Sequence, residues 1–108
     1  GLNHLLIYKI LVKGYPLKEL SEFDNWKKIQ DFSGRIGWVS KSQLSSQRYV
    51  ISVMPDQYLY KFPTYSSKKI AFVKNESVLK IIKENEDWLL LESDDVKGWL
   101  TKKSVWGG

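Results

Sequence analysis

A tryptophan pattern occurs twice in this chain, and a fixed internal period constrains the fold more than any other local signal. Asn25-Trp26-Lys27-Lys28-Ile29 is followed, twelve residues after Trp26, by Gly37-Trp38-Val39. Asp87-Trp88-Leu89-Leu90-Leu91 is followed, eleven residues after Trp88, by Gly98-Trp99-Leu100. Each copy places a strand-like run before an acidic loop, Pro16 to Leu20 and Ser77 to Lys83, and each follows Gly-Trp with a polar segment ending in an apolar residue, Leu44 and Val105. The chain therefore reads as one structural unit written twice.

The local signals are those of short strands, because β-branched and aromatic residues cluster in short runs separated by turn residues. From Trp26 to Phe32 the residues alternate, with Lys27, Ile29 and Asp31 on one side and Trp26, Lys28 and Gln30 on the other. Ile29 marks the core side, which turns Trp26 outward. Ser33-Gly34 reads as a hairpin tip, and Asp94-Asp95 as a second one whose short carboxylates cap their own backbone. Sustained helical periodicity is lacking; Ser40 to Ser45 and Thr101 to Val105 each suit one helical turn begun by a hydroxyl cap. Pro55-Asp56 is the best break between copies, giving an all-β chain of two units, 1–54 and 55–108.

Size and composition bound what these units can be. A chain of 108 residues, 43% apolar and without cysteine, folds by burial alone, with enough material for one good core or two small dependent ones. No apolar stretch approaches the ~20 residues of a membrane helix. The run from Leu5 to Val12 carries Lys9 and no small-residue cleavage pattern follows it, so it is not a signal peptide. The net charge of +5 suits an anionic surface or polymer. The first 50 residues hold eight Lys/Arg against four Asp/Glu, and the remainder nine against eight.

The order strand, acidic loop, Trp strand, tight hairpin, Gly-Trp-apolar strand, helical turn and final strand resembles an SH3-like barrel. The residues that carry the likeness are Lys13-Gly14-Tyr15-Pro16, Glu22-Phe23-Asp24-Asn25-Trp26, Gly37-Trp38-Val39 and Leu44-Ser45 in the first copy. In the second they are Pro63, Ser66-Ser67, Asp87-Trp88, Gly98-Trp99-Leu100 and Trp106-Gly107. On these, the chain is similar to tandem bacterial SH3 (SH3b) proteins of the cell envelope. The resemblance implies two small SH3-like barrels packed together and a non-catalytic module that binds peptidoglycan or an envelope protein. It further implies a periplasmic or extracellular setting, as the mature part of a longer precursor. Eukaryotic SH3 domains hold proline-rich ligands with a proline where Ser40 and Thr101 stand here, so that mode of recognition is not expected.

Catalysis finds poor materials. His4 is the only histidine and cysteine is absent, which removes a Cys/His nucleophile and the usual zinc site. Asp24 with Asp31, and Glu84, Glu86 and Asp87, read as loop and strand-end carboxylates, and no cofactor or metal is expected. The candidate ligand surface is Trp26 with Lys28, Arg35 and Trp38, where stacking combines with attraction to a carboxylated peptide or an anionic glycan. Trp88 is expected to be buried against the other copy and Trp106 to cover the seam, while Trp38 and Trp99, each following a glycine in a strand, are expected to pack against the barrel, with ligand contact the other reading for Trp38. Without a recognised RNA motif, phosphate loop or basic run, nucleic acid is disfavoured. An SH3-like nucleic-acid-binding domain and a structural adaptor stay open as alternatives. Each unit is also short of one strand, so Tyr49 to Val53 and Tyr58 to Phe62 are expected to present open edges. Packing between copies, or a homodimer, would cover them.

Overall fold

The computed structural model describes residues 14–44 and 46–108, so His4, Lys13, Ser45 and the run from Leu5 to Val12 lie outside the described residues. The described chain is all-β. Strands β1 (Leu17–Phe23), β2 (Trp26–Asp31) and β3 (Ile36–Ser40) form an antiparallel meander, followed by a 3-10 turn at Lys41–Gln43. Then come β4 (Tyr49–Ser52), β5 (Gln57–Tyr60), β6 (Lys69–Val73), β7 (Val78–Asn85), β8 (Trp88–Ser93) and β9 (Val96–Thr101). A second 3-10 turn at Lys102–Ser104 and β10 (Val105–Gly107) complete the chain. These strands form a sheet in the order β10-β4-β7-β8-β9-β5-β6. Two closed barrels were expected; the described residues instead make an open three-stranded sheet and an open seven-stranded one.

The repeat is physical. In both copies a register shift interrupts the first hairpin at the same place, between Glu19 and Ser21 and between Ile81 and Lys83. Both copies then turn through a residue of positive φ, Asp24 at 52° and Glu86 at 53°. The backbone N–H of Lys41 donates to the Asn25 carbonyl at 2.9 Å, and that of Lys102 to the Asp87 carbonyl at 2.8 Å. Asp24 is of a type that tolerates this left-handed geometry; Glu86 adopts it at the equivalent turn without that advantage. Asp94 and Asp95, at 49° and 66°, supply both central residues of the β8–β9 turn without a glycine, as a primed hairpin turn requires.

The β2–β3 tip is built around one carboxylate. Asp31 accepts from the Ser33 hydroxyl at 2.7 Å and, at 2.9 Å each, from the Arg35 backbone N–H and the Arg35 Nε. Burial raises the Asp31 pKa, but the Ser33 hydrogen bond and the Arg35 contacts outweigh it and hold the carboxyl below its ordinary value. The two 3-10 turns begin after Ser40 and Thr101, though neither hydroxyl caps the backbone as expected. Ser40 Oγ bonds Ser42 Oγ at 3.0 Å, and Thr101 Oγ1 bonds Ser104 Oγ at 2.7 Å.

The main core lies in the seven-stranded sheet, where Val50, Leu59, Val73, Leu79, Leu89, Leu91 and Leu100 are buried together. The hydrophobic cluster of the three-stranded sheet is Ile29 and Val39 alone, with Leu17 and Leu44 packed beside them. Two buried apolar side chains do not offset the entropy of ordering so long a segment, so this sheet depends on its neighbour. The connections run through the last strand. Gly108 N–H donates to the Leu17 carbonyl at 2.8 Å, and the Trp106 ring meets Phe32 edge-on with centroids 5.6 Å apart. Trp106 thus spans the two sheets.

The strand expected to close the first unit sits inside the second sheet. β4 pairs with β10 on one side and β7 on the other, and β5 pairs with β6 and, at Tyr60–Trp99, with β9. Neither of the two edges anticipated as open is free, and a homodimer is not needed to cover them. The edge strands of the larger sheet are β10 and β6.

Candidate functional site

Residues opposite one another across a ladder share a face. In the first sheet Trp26 pairs with Ser40 and Phe23, Lys28 with Trp38 and Ser21, and Gln30 with Ile36 and Lys18. This face looks away from Ile29 and Val39. It is aromatic and open: Phe23 is 72% exposed, Trp26 48% and Trp38 40%. It carries Lys18 and Lys28 and, among these paired residues, no carboxylate. The structure thus brings Trp26, Lys28 and Trp38 together, and Trp38, expected to pack as Trp99 does, stands on this open face instead of in the core. Arg35 stands apart at the hairpin tip, about 17 Å along the strand from Trp26 at the usual strand rise, with its Nε on Asp31.

The second copy builds on the same frame but closes it. Trp88 starts β8 as Trp26 starts β2, and Leu90 faces Trp99 where Lys28 faces Trp38. Here the β5–β6 hairpin adds a wall that sequence reading did not anticipate. Tyr60 of β5 pairs with Trp99, which is 8% exposed, and Tyr65, in the loop between the two hairpin strands, reaches Trp88. The Tyr65 and Trp88 centroids are 4.9 Å apart at an interplanar angle of 62°, and Tyr60 lies edge-on to both, at 5.4 Å from Tyr65 and 6.0 Å from Trp88. Trp88, expected to be buried against the other copy, is instead half-buried against Tyr60 and Tyr65 of its own.

Between these walls lies a cleft of ≈ 600 Å³ lined by Pro63, Thr64, Tyr65, Asp87, Trp88, Thr101, Lys102 and Lys103. Its lining holds the exposed Tyr65 beside the half-buried Trp88, together with two lysines and one aspartate, and its size suits a small ligand or a few units of a polymer. The Lys102 ammonium pairs with Glu84, and this hydrogen bond holds the Glu84 carboxyl below the usual range. The first copy repeats the arrangement, with Lys41 Nζ 2.7 Å from Glu22 Oε1 and the Glu22 carboxyl likewise lowered by its lysine.

Tyr60, Tyr65, Asp87, Trp88, Lys102 and Lys103 are absent from the surface read out of the sequence. The signal that finds Trp88 is the repeat itself, since it occupies the place of Trp26. The run Leu89 to Leu91 hides it, because three consecutive leucines blur the alternation that marks an outward face.

Residues 55–107 match the family model of the bacterial SH3 domain. The matched stretch holds β5 to β10 and every residue that lines the cleft. No curated protein matches the chain. Among the described residues no helix is long and apolar enough to cross a membrane. The match points to a binding module as the kind of function this region serves.

Proposed function

We propose that this chain is a non-catalytic binding module of the bacterial cell envelope and that the Tyr65–Trp88 cleft holds peptidoglycan. The observation that carries the reading is the pairing of an open aromatic surface with charges of both signs in one cleft. A sugar ring offers an apolar C–H face to an aromatic side chain. A wall peptide carries carboxylates and a free amine, which Lys103 and Asp87 complement respectively. The net charge of +5 adds attraction to an anionic polymer. The bacterial SH3 match over the cleft and the resemblance to envelope SH3b proteins favour the same setting.

The test is retention of the purified chain on isolated sacculi at low and raised salt, beside a gel-shift assay with single-stranded RNA. Retention should fall at least tenfold in Trp88→Ala and Tyr65→Ala, both checked for native circular dichroism. Equal retention of wild type and variants, no retention at all, or an RNA shift as strong as sacculus binding would overturn the reading.

A further inference from the structure

The chain builds one local frame twice, and both frames end in a tryptophan. In each, a register shift, a turn of positive φ, a backbone hydrogen bond from a lysine to the residue before the tryptophan, and an ion pair from that same lysine fix the start of a strand. The ion pairs are Lys41 with Glu22 and Lys102 with Glu84. The tryptophan then faces a hydroxyl residue, Ser40 for Trp26 and Thr101 for Trp88. Four matching constraints place a tryptophan at the same strand position in both copies. The copies differ in what surrounds the ring. Trp88 is walled by Tyr60 and Tyr65, while Trp26 stands on an open face with Lys28 and Trp38.

We infer that Trp26, Lys28 and Trp38 form a second ligand surface, and that the chain grips one polymer of repeating sugar and carboxylate-bearing peptide units at two points. This rests on the reading of the Trp88 cleft as a peptidoglycan site. The charge on the first surface selects the ligand class, because Lys18 and Lys28 share the face with the aromatic rings and no paired carboxylate opposes them. An anionic group is attracted there while the rings stack on its apolar neighbour. A polymer presents the same unit repeatedly, so once the cleft is engaged the second contact becomes intramolecular and apparent affinity rises by about 10²–10⁴-fold. The molecule extends 46 Å along its longest axis, which sets the scale on which a polymer bridges the two surfaces.

Two measurements on the full chain test this. Titration calorimetry with a soluble disaccharide–tetrapeptide should give two ligands per chain for wild type and one for Trp26→Ala. On sacculi, Trp26→Ala should lose at least tenfold in apparent affinity. Lys28→Glu, which leaves the rings in place, should lose a comparable amount and guards against a folding defect in the tryptophan variant. A wild-type stoichiometry of one, or sacculus binding that is lost in Trp88→Ala and unchanged in both first-surface variants, overturns the second surface and leaves the cleft standing. Failure of the wild-type chain to bind sacculi or the soluble fragment overturns both readings together.

Discussion

A Cβ placed on Gly98 would stand 2.5 Å from the Cβ of Leu59. It would also lie 3.2 Å from the Tyr60 carbonyl oxygen and 3.3 Å from the Leu59 carbonyl carbon. Here β5 crosses β9, and the absent side chain lets the two backbones approach. The glycine of the second Gly-Trp pair therefore sets the position of the β5–β6 hairpin, which in turn places Tyr60 and Tyr65 on Trp88. Gly98→Ala should destabilise the fold by about 1–3 kcal/mol, as overpacking of a close contact does. It should also loosen the cleft. Urea unfolding checks the first effect and Trp fluorescence the second, and an unchanged unfolding midpoint would contradict the account.

Asp31 is the buried carboxylate on which the β2–β3 turn is assembled. Replacing it by Ala removes three acceptor contacts at once and should cost about 1.5–3 kcal/mol at neutral pH, the range for hydrogen bonds to a charged group. Its folded pKa lies below the ordinary 3.8, so the contribution is fully present above that value and is lost as the pH falls through the lower folded one. The gap in stability between wild type and Asp31→Asn should accordingly narrow below pH ~3.8. A gap that stays constant from pH 7 to pH 2 would show that the charge plays no part.

The three-stranded meander was legible because its face pattern is clean. Ile29 points one way, Trp26 and Lys28 the other, and Ser33-Gly34 turns the chain. The partner of β4 was not legible, since Tyr49–Ser52 carries apolar side chains that suit any interior ladder and strand character does not name a neighbour. The β5–β6 hairpin escaped for a related reason. Tyr58 to Phe62 read as a strand, but the turn that folds Lys69–Val73 back upon it depends on Ser67, whose hydroxyl bonds Phe62 and Thr64 carbonyls at 3.0 and 2.9 Å. Such local side-chain closure leaves little mark in a sequence rich in serine and threonine.

Trp99 and Trp38 hold the same place in the two copies and should respond oppositely to truncation. Trp99 is 8% exposed and lies beside Tyr60 under the β5–β6 hairpin. Trp99→Ala should cost about 3–5 kcal/mol, the usual price of removing a buried large aromatic. Trp38 is 40% exposed, and Trp38→Ala should cost about 1 kcal/mol or less. Chemical unfolding of the two variants side by side decides the matter, and a large loss at Trp38 would place that ring in a core instead of on a surface.

The two sheets should unfold together, because the smaller one has too little core to stand without the larger. Their connection is specific: Phe32 of the first copy meets Trp106 of the second edge-on at 5.6 Å, and the Leu17 carbonyl accepts from Gly108 N–H. A double-mutant cycle on Phe32→Leu and Trp106→Leu should return a coupling of about 0.5–1.5 kcal/mol, the range for an aromatic pair beyond its area burial. Calorimetry should show one transition for the full chain, and the double variant should broaden or split it as the first sheet loses its anchor. Two resolved transitions in the wild-type protein, or zero coupling in the cycle, would mean that the sheets fold independently and that the Phe32–Trp106 contact does not hold them together.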